Sequence, residues 1–347
     1  MQRDEATALS ERSIDELPMR VGVGQFMAPT EERLQFIKQL GVNDILLNMY
    51  DTPLLADSEK PLTGEEKWSY KELLHLRTRV NDAGLRLNAI ENLPISFYDK
   101  VMLGKEGRDE QLQNVKDTIR NLGRAGIPIL GYHWSPSGVW RTSTNRRTRG
   151  GAITTAFDAD ELGDVPLSLD REYSEEELWE NYEYFLEEVV PVAEEAGVTL
   201  ALHPNDPPVE EIGGVPFLFR NFENFKRAME IVPSENHGLE FCMGTWSEMH
   251  EDLQTVIKYF GERDKIVYIH FRDVDGKTPS FTEVFLDEGN YDEYELLTLL
   301  DEVGFDGLMI PDHVPKMEGD GNWKHRGRAY TVGYLKGMVK SRGIDFC

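Results

Sequence analysis

The amino-acid sequence predicts a single α/β domain with the (β/α)8, or TIM-barrel, architecture. Eight short runs rich in Val, Ile, Leu and aromatic residues alternate with amphipathic helical segments along the 347 residues. Five of the helical segments end at a glycine shortly before a strand, as is typical of such repeats. The first strand does not lead into a G-x-G-x-x-G turn, so a nucleotide-binding doubly wound sheet is less favoured.

Each predicted strand is a short apolar run bounded by turn-forming residues. Polar residues close several of these runs, at the strand ends where a barrel carries its active site. In chain order the predicted strands are Met19–Phe26, Asp44–Tyr50, Arg86–Asn92, Ile127–Trp134, Thr199–Asn205, Gly238–Gly244, Ile266–Asp273 and Gly307–His313.

The helices are predicted from apolar residues at helical spacing together with capping residues. The first begins after Thr30, which precedes two glutamates, and it ends at Gly41. The others are Trp68–Ala83, Asp109–Ala125, Ser174–Ala196, Phe222–Ile231, Ser247–Phe260, Asp292–Val303 and Arg328–Ser341.

The predicted barrel covers residues 20–342 and follows a polar extension at residues 1–19. Its main irregularity is the segment 135–173 between the fourth strand and the next helix, which is far longer than an ordinary βα connection. Long loops after barrel strands lie at the catalytic face. We therefore expect residues 135–173 to contribute to the active site.

The charge of the chain restricts its partners and its location. With 37 basic and 63 acidic side chains the net charge is −26, which disfavours nucleic acid and anionic membranes. The basic residues are 15 Lys and 22 Arg, and a lysine-poor acidic surface suggests a halophilic source, with an ordinary acidic cytosolic protein as the alternative. Only Cys242 and Cys347 are cysteines, and neither a signal peptide nor a membrane-spanning run is present, so a cytoplasmic protein is predicted.

Polar residues end the last four predicted strands at intervals of about one βα unit. His203, Cys242, His270 and Asp312 are separated by 39, 28 and 42 residues. Because neighbouring strands lie about 4.8 Å apart, these four side chains can converge on one ion. Singly, each has a structural alternative as a buried thiol, a hydrogen-bonded histidine or a turn carboxylate. Together they form a ligand set for a divalent metal.

A basic segment inside the long loop suggests an anionic substrate. Residues 140–151 contain four arginines, and a guanidinium group binds a carboxylate with two hydrogen bonds. We predict that Arg141, the nearest of them to the fourth strand, binds substrate; a nucleic-acid patch and a solvated or subunit-contact loop are the alternatives. The predicted substrate-binding set also includes Arg272, Asn205 and His133, and Asn48 and Glu91 are weaker candidates.

These motifs resemble those of the D-mannonate dehydratases of the UxuA type. The resemblance runs from about Arg20 to Lys340 and is strongest after residue 199. Further similarity lies in Trp140-Arg141-Thr142, in Phe281-Thr-Glu283 and in the last helix. The most specific stretches are His203-Pro-Asn-Asp-Pro-Pro, Gly238-Leu-Glu-Phe-Cys242-Met-Gly, Ile269-His270-Phe-Arg272-Asp and Pro311-Asp312-His313.

The resemblance implies a metal-dependent lyase on a xylose-isomerase-like barrel. It implies a divalent metal, with Mn²⁺ preferred over Fe²⁺, Co²⁺ or Zn²⁺, at His203, Cys242, His270 and Asp312. The implied reaction is dehydration of D-mannonate to 2-dehydro-3-deoxy-D-gluconate in hexuronate catabolism, by a dimer or larger homo-oligomer. His313, beside one ligand, would protonate the departing hydroxyl group as general acid.

One departure from the family pattern concerns a tyrosine that precedes the last-helix motif. Here that stretch reads Lys324-His325-Arg326-Gly327-Arg328, so His325 is predicted to act in its place. The alternatives are that Tyr330 takes this role or that the activity differs from that of the family. Two other functions remain open, namely a divalent-metal sugar isomerase or epimerase of the same superfamily and a non-catalytic barrel that binds a sugar acid. The isomerases generally use glutamate ligands, whereas the fifth strand ends in His203, which favours the lyase.

Overall fold

A computed structural model describes residues 18–49 and 60–343 of the chain. Most of the predicted extension, together with Tyr50 and Cys347, lies outside these residues. In chain order the strands are β1 (Arg20–Val21), β2 (Asp44–Asn48), β3 (Arg86–Glu91), β4 (Ile129–His133), β5 (Ser143–Arg147), β6 (Ile153–Asp158), β7 (Thr199–His203), β8 (Glu211–Ile212), β9 (Val215–Pro216), β10 (His237–Cys242), β11 (Ile266–Phe271), β12 (Asp273–Lys277), β13 (Ser280–Val284) and β14 (Leu308–Pro311).

The helices follow the predicted alternation, and most of them begin at a residue whose side chain caps the first turn. Ser69, for example, forms a reciprocal capping box with Glu72. The α-helices are α1 (Glu31–Gln39), α2 (Tyr70–Asp82), α3 (Asp99–Met102), α4 (Arg108–Ala125), α5 (Glu175–Ala196), α6 (Phe222–Ile231), α7 (Met243–Glu248), α8 (Leu253–Gly261), α9 (Glu293–Glu302) and α10 (His325–Ser341).

Eight parallel strands form the barrel, in the order β1-β14-β11-β10-β7-β4-β3-β2. A parallel bridge between Val23 and Ile45 connects the first and last strands of this order and closes the sheet. The prediction of a TIM barrel is therefore confirmed. Among the described residues, no helix is long and apolar enough to cross a membrane.

The side chains of each barrel strand point alternately to its two faces, and they form two separate apolar regions. Leu46 lies in a cluster with residues of other barrel strands, whereas its neighbours Ile45 and Leu47 belong to the larger core that also includes the helices. Because successive side chains of a strand point to opposite faces, the first cluster fills the barrel interior. Its members are Leu46, Ala89, Ile129, Ala201, Tyr268, Leu308 and Ile310.

Several element boundaries differ from the prediction, among them those of the first strand, of the helix after β10 and of the last helix. The first strand is only Arg20–Val21, and beyond it the barrel contact is the single bridge at Val23. The predicted helix Ser247–Phe260 is divided into α7 and α8, because Asp252 accepts a hydrogen bond from the Thr255 amide and starts a new helix. The last helix begins earlier than predicted, so that His325 is its first residue.

The long segment 135–173 contains secondary structure that the sequence did not indicate. Its strands β5 and β6 join β12 and β13, which follow the seventh barrel strand, in a four-stranded antiparallel sheet with the order β12-β13-β6-β5. Trp140 N donates to the carbonyl oxygen of Asp206, three residues after the end of β7, and Ile153 pairs with Lys316, after β14. This additional sheet is thereby attached to the C-terminal side of the barrel strands.

The start of β2 carries a buried ion-pair cluster. Asp44 is fully buried and accepts hydrogen bonds from Arg86 Nε at 2.8 Å and Arg86 Nη2 at 2.6 Å. Asn88 Nδ2 donates to the same carboxylate at 2.7 Å, and Arg20 Nε lies 3.7 Å from it. Strand β2 is thus connected to β1 and β3 by charge as well as by the backbone ladder.

Asp44→Ala is expected to lower the free energy of unfolding by about 3–5 kcal/mol, because it leaves two buried guanidinium groups without this counter-charge. Urea unfolding followed by circular dichroism measures the change. The matched control is Asp117→Ala, which removes a surface pair with Lys67 and is expected to cost about 0–1 kcal/mol. Equal losses in the two variants would contradict the importance of the buried cluster.

Candidate metal centre and active site

Four predicted ligands meet at the C-terminal end of the barrel. His203 and Cys242 are the last residues of β7 and β10, and His270 is the second-last residue of β11. Ligand atoms of these three lie within 4.8 Å of one another. Asp312 follows β14, and its Oδ2 lies 3.9 Å from Cys242 Sγ and 3.7 Å from His270 Nδ1. All four residues are buried. They converge because parallel strand ends share one edge of the barrel.

A backbone contact determines the tautomer of the first imidazole. His203 Nδ1 lies 2.6 Å from the carbonyl oxygen of Pro204, so this nitrogen carries the proton and donates it. The lone pair then belongs to Nε2, the nitrogen that is left to bind a metal. The ring of His133 stacks on His203 with centroids 4.1 Å apart and planes 16° apart, which holds the ring orientation.

The surrounding charges favour the ionised forms of the two acidic ligands. Burial raises the pKa of the Cys242 thiol, but the Arg272 guanidinium and the hydrogen bond with His203 outweigh it and hold the pKa well below its ordinary value. Burial likewise raises the pKa of Asp312, and the positive charges around it, His313 first among them, hold it far below the usual range. Thiolate and carboxylate are the forms that bind metals.

These donors fit a divalent cation. His270 Nδ1 is buried and makes no hydrogen bond, although it faces Asp312 Oδ2. Two imidazole nitrogens, a thiolate and a carboxylate form a set used for transition-metal ions, and oxygen and nitrogen donors of this kind bind several of them. The residues therefore support a metal site without indicating which metal it binds.

Arg272 connects the ligand Asp312 to a buried network of charges. Its Nε donates to Asp312 Oδ2 at 2.9 Å, and its Nη2 donates to Asp206 Oδ2 and to Thr245 Oγ1, both at 2.9 Å. Its Nη1 donates to Glu248 Oε1 at 2.8 Å. The side chain is about 1% exposed. In this structure the guanidinium group holds Asp312 in place, and its role in binding substrate remains a prediction.

Arg141 reaches the same network from the loop after β4. It binds the Asp206 carboxylate with two hydrogen bonds of 2.6 Å, and its Nη2 also donates to Glu283 Oε1 at 2.8 Å. The guanidinium group that was predicted to bind a substrate carboxylate thus binds two carboxylates of the protein itself. Its direct contact with substrate stays a prediction, whereas its contact with Glu283 is a structural fact that the sequence did not indicate.

His313 is partly exposed beside the ligand cluster and is held by Glu283. Its Nδ1 lies 2.6 Å from Glu283 Oε1, and 38% of its side chain is exposed. Burial raises the pKa of Glu283, but the neighbouring His313 and Arg141 lower it by more. The pKa of this carboxyl therefore lies well below its ordinary value. The Nδ1–H group of His313 donates a hydrogen bond to this carboxylate. Nε2 is therefore the nitrogen that can exchange a proton with a bound molecule.

The other predicted site residues have structural contacts. Asn205 Nδ2 donates to Trp134 O, and Asn205 Oδ1 accepts from Phe219 N. Both polar atoms of its side-chain amide are thus hydrogen-bonded to backbone groups. His325 Nδ1 lies 3.4 Å from Asp320 Oδ1, and its ring packs against Phe36. These contacts do not join His325 to the four ligands. Its alternative, Tyr330, donates to Asp287 Oδ1 at 2.9 Å.

Sequence reasoning did not single out Glu240, which is completely buried inside the barrel. Its Oε1 lies 3.0 Å from His270 Nε2 and 3.9 Å from His203 Nε2. Burial, and then the nearby Glu91, raise the pKa of Glu240 to about 8. Glu240 precedes Cys242 by two positions on β10, and the period of two along a strand places both on the inner face. That spacing was a signal that could have identified it.

Comparison with known proteins identifies similar sequences along nearly the whole chain. The family model of D-mannonate dehydratase (UxuA) matches residues 26–170 and 166–344. The chain is 30% identical over 316 residues to the mannonate dehydratase of Streptococcus pneumoniae (strain 70585), which covers 83% of each chain. It is 31% identical over 323 residues to that of Thermotoga maritima, covering 81% of this chain and 84% of the relative.

Solved structures agree with this similarity. The crystal structure of mannonate dehydratase from Streptococcus suis serotype 2 superimposes with a TM-score of 0.83 at 28% identity, and the match covers 95% of this chain and 97% of that one. A xylose isomerase domain protein from Planctomyces limnophilus matches with a TM-score of 0.59 at 15% identity, covering 93% and 98% of the two chains. At that level of identity the second similarity concerns the fold alone.

Proposed function

The chain belongs to the D-mannonate dehydratase (UxuA) family, and from this membership we propose that it converts D-mannonate to 2-dehydro-3-deoxy-D-gluconate as a hydro-lyase of hexuronate catabolism. The observation that carries the proposal is the convergence of His203, Cys242, His270 and Asp312 beside a partly exposed His313. The four ligands would hold a divalent metal, which would act as a Lewis acid that stabilises negative charge developing on the substrate.

The reaction removes the proton on C2 and the hydroxyl group on C3 of the sugar acid. We propose that His313 Nε2 gives its proton to the departing hydroxyl group, while Glu283 holds the Nδ1 proton and the orientation of the ring. Water leaves, and the resulting enol gains a proton at C3 and loses its hydroxyl proton to give the 2-keto acid. The proton removed from C2 is released to solvent, from which His313 is reprotonated. Arg141 contributes by fixing Glu283, and the predicted contacts of Arg141, Arg272, Asn205 and His133 with substrate belong to this proposal.

The direct test is incubation of the purified protein with D-mannonate and Mn²⁺ in concentrated salt, followed by detection of a 2-keto-3-deoxy acid. The proposal expects one product molecule for each D-mannonate consumed. An isomerised or epimerised sugar in place of the keto acid would contradict it and support the isomerase alternative. Binding of aldonic acids without any product would support the non-catalytic barrel. Neither alternative is favoured, because the isomerase-like structures share only the fold.

Four further properties belong to the proposal: the metal, the location, the assembly and the response to salt. We propose Mn²⁺ as the metal, with Fe²⁺, Co²⁺ and Zn²⁺ as alternatives, because the donor set binds any of them. A cytoplasmic location, assembly into a dimer or larger oligomer and adaptation to high salt are proposed from the resemblance and from the net charge of −26. Metal analysis of the purified protein and light scattering across a salt series measure the metal, the assembly and the response to salt.

A further inference from the structure

The ring of His270 is held between two buried carboxylates on one side and the proposed metal ligands on the other. Its Nε2 lies 2.9 Å from Glu91 Oε2 and 3.0 Å from Glu240 Oε1. Its Nδ1 lies 3.7 Å from Asp312 Oδ2 and is buried without a hydrogen bond. All these groups lie inside the barrel and are nearly completely buried.

Glu91 is itself fixed by three amide side chains. Gln25 Nε2 donates to both of its oxygens at 2.9 and 3.1 Å, Asn48 Nδ2 donates to Oε1 at 2.8 Å, and Asn92 Nδ2 donates to Oε1 at 3.1 Å. Asn48 and Glu91 are register partners on neighbouring strands. The carboxylate therefore has little freedom to turn away from His270.

Two of these amide residues adopt an unusual backbone conformation. Gln25 and Asn92 both have a φ of 64°, in the left-handed region that residues with a side chain seldom enter. Such conformations persist only where the surroundings enforce them, and they are concentrated at functional sites. Here both strained residues direct their amide groups to Glu91, which indicates that the position of this carboxylate matters.

A neutral imidazole has one N–H group and one lone pair. With the Glu91 carboxylate 2.9 Å from Nε2 as hydrogen-bond acceptor, the proton belongs on Nε2, and the lone pair then lies on Nδ1, towards Asp312 and Cys242. We propose that Glu91, held by Gln25, Asn48 and Asn92, is a positioning residue that fixes the tautomer and the orientation of His270 for metal binding. This inference rests on the proposed metal site and assigns to it a partner outside the ligand set.

A second cation between Glu91, Glu240 and His270 is the competing interpretation, because one atom of each lies within 4.8 Å of the others. It would require a lone pair on His270 Nε2. The same neutral ring cannot offer lone pairs at both nitrogens, so a cation there would compete with the proposed site at Nδ1. The geometry therefore favours the positioning role, and metal stoichiometry distinguishes the two.

The test compares Glu91→Gln with the parent protein by chelator competition for Mn²⁺. The amide retains the size of the side chain but removes its charge. With its oxygen at the Oε1 position, where the three amide donors meet, its NH₂ group faces His270 Nε2. We expect metal to bind on the order of 10–100-fold more weakly. The ligand-field absorption of bound Co²⁺ is expected to change as well, because His270 is no longer held in one orientation. Thermal unfolding of the metal-free proteins reports whether the fold is intact.

The matched control is Asp273→Asn, which alters another buried carboxylate near the same strand end. Asp273 accepts hydrogen bonds from Val274 N and Ser247 Oγ. The Asp273→Asn variant is expected to leave metal affinity unchanged. If Glu91→Gln fails to fold, Asn92→Gly keeps the left-handed backbone and removes one donor to Glu91. It is expected to weaken metal binding in the same direction by a smaller factor.

Cys242→Ser separates failure of this inference from failure of the metal site. If Cys242→Ser loses metal and Glu91→Gln binds it as tightly as the parent, the positioning role is wrong and the site stands. If both Cys242→Ser and Asp312→Asn bind metal like the parent, the proposed site is wrong, and this inference with it. Two metal ions per parent chain, one of them lost in Glu91→Gln, would overturn the inference in favour of a second cation.

Discussion

Replacing Cys242 with serine, or Asp312 with asparagine, is expected to release most of the bound metal and to lower the turnover of D-mannonate by about 1,000-fold or more. Each change removes a charged donor from a cluster whose other members, His203 and His270, are neutral when they bind a metal. The loss corresponds to about 4 kcal/mol of transition-state stabilisation. Metal content per chain and steady-state kinetics on the same samples measure the two effects together.

The control for these variants is Asp287→Asn. Asp287 is a carboxylate on a loop after β13 that pairs with Arg149 at the surface. The Asp287→Asn variant is expected to retain the metal content and turnover of the parent. Unchanged metal content in both Cys242→Ser and Asp312→Asn would show that the ligand assignment is wrong. Metal loss in only one of them would remove the other residue from the ligand set.

His313→Asn is expected to retain the metal and to lower kcat by about 100–10,000-fold, the usual contribution of a general acid. The imidazole is held by Glu283 through Nδ1, and the variant loses the Nε2 proton that the departing hydroxyl group needs. Measurement of kcat with D-mannonate and of metal content distinguishes this effect from loss of a ligand. Glu283→Gln is expected to cause a smaller reduction, because the ring remains but is less well held.

A change of leaving group tests the role of His313 more specifically. Fluoride departs as an anion and needs little proton assistance. His313→Asn is therefore expected to lower kcat much less for a 3-deoxy-3-fluoro analogue of the substrate than for D-mannonate. Equal losses on both substrates would mean that His313 acts at another step. Loss of metal from His313→Asn would place it among the ligands.

The ligand set could be predicted because parallel strands bring their ends together. His203, Cys242 and His270 close three strands whose apolar runs are recognisable in the sequence, and Asp312 directly follows a fourth. Neighbouring strands of a barrel are at similar height, so residues far apart in the chain become neighbours without any knowledge of the loops. The barrel was predictable from the same alternation of strands and helices, whereas the family was recognised from the resemblance of sequence motifs.

The additional sheet could not be predicted, because its pairing is not local. Strand β6 pairs with β13, which lies more than a hundred residues later in the chain, and β5 is polar and largely exposed. Neither strand shows the alternation that marks a half-buried strand. The contact of Arg141 with Glu283 depends on this sheet, and the sequence therefore suggested a substrate contact where the structure has an internal ion pair.

The buried carboxylates illustrate a different limit. Glu91 was recognised only as a weak pocket candidate, because the sequence does not show that Gln25 and Asn92 adopt left-handed conformations. Nor does it show that His270 faces the carboxylates with one nitrogen and Asp312 with the other. Side-chain direction at a strand end depends on packing across the barrel, which strand spacing alone does not specify.

The most direct test of the proposed metal centre is a titration of the metal-free protein with Co²⁺, followed by absorption spectroscopy. A cobalt–thiolate bond produces a charge-transfer band in the near ultraviolet, and Cys242 is the cysteine in the ligand set. The proposed metal centre predicts a band that saturates at one equivalent of Co²⁺, rises together with D-mannonate dehydration and is missing in Cys242→Ser. A parent spectrum without this band at saturating Co²⁺ would contradict it.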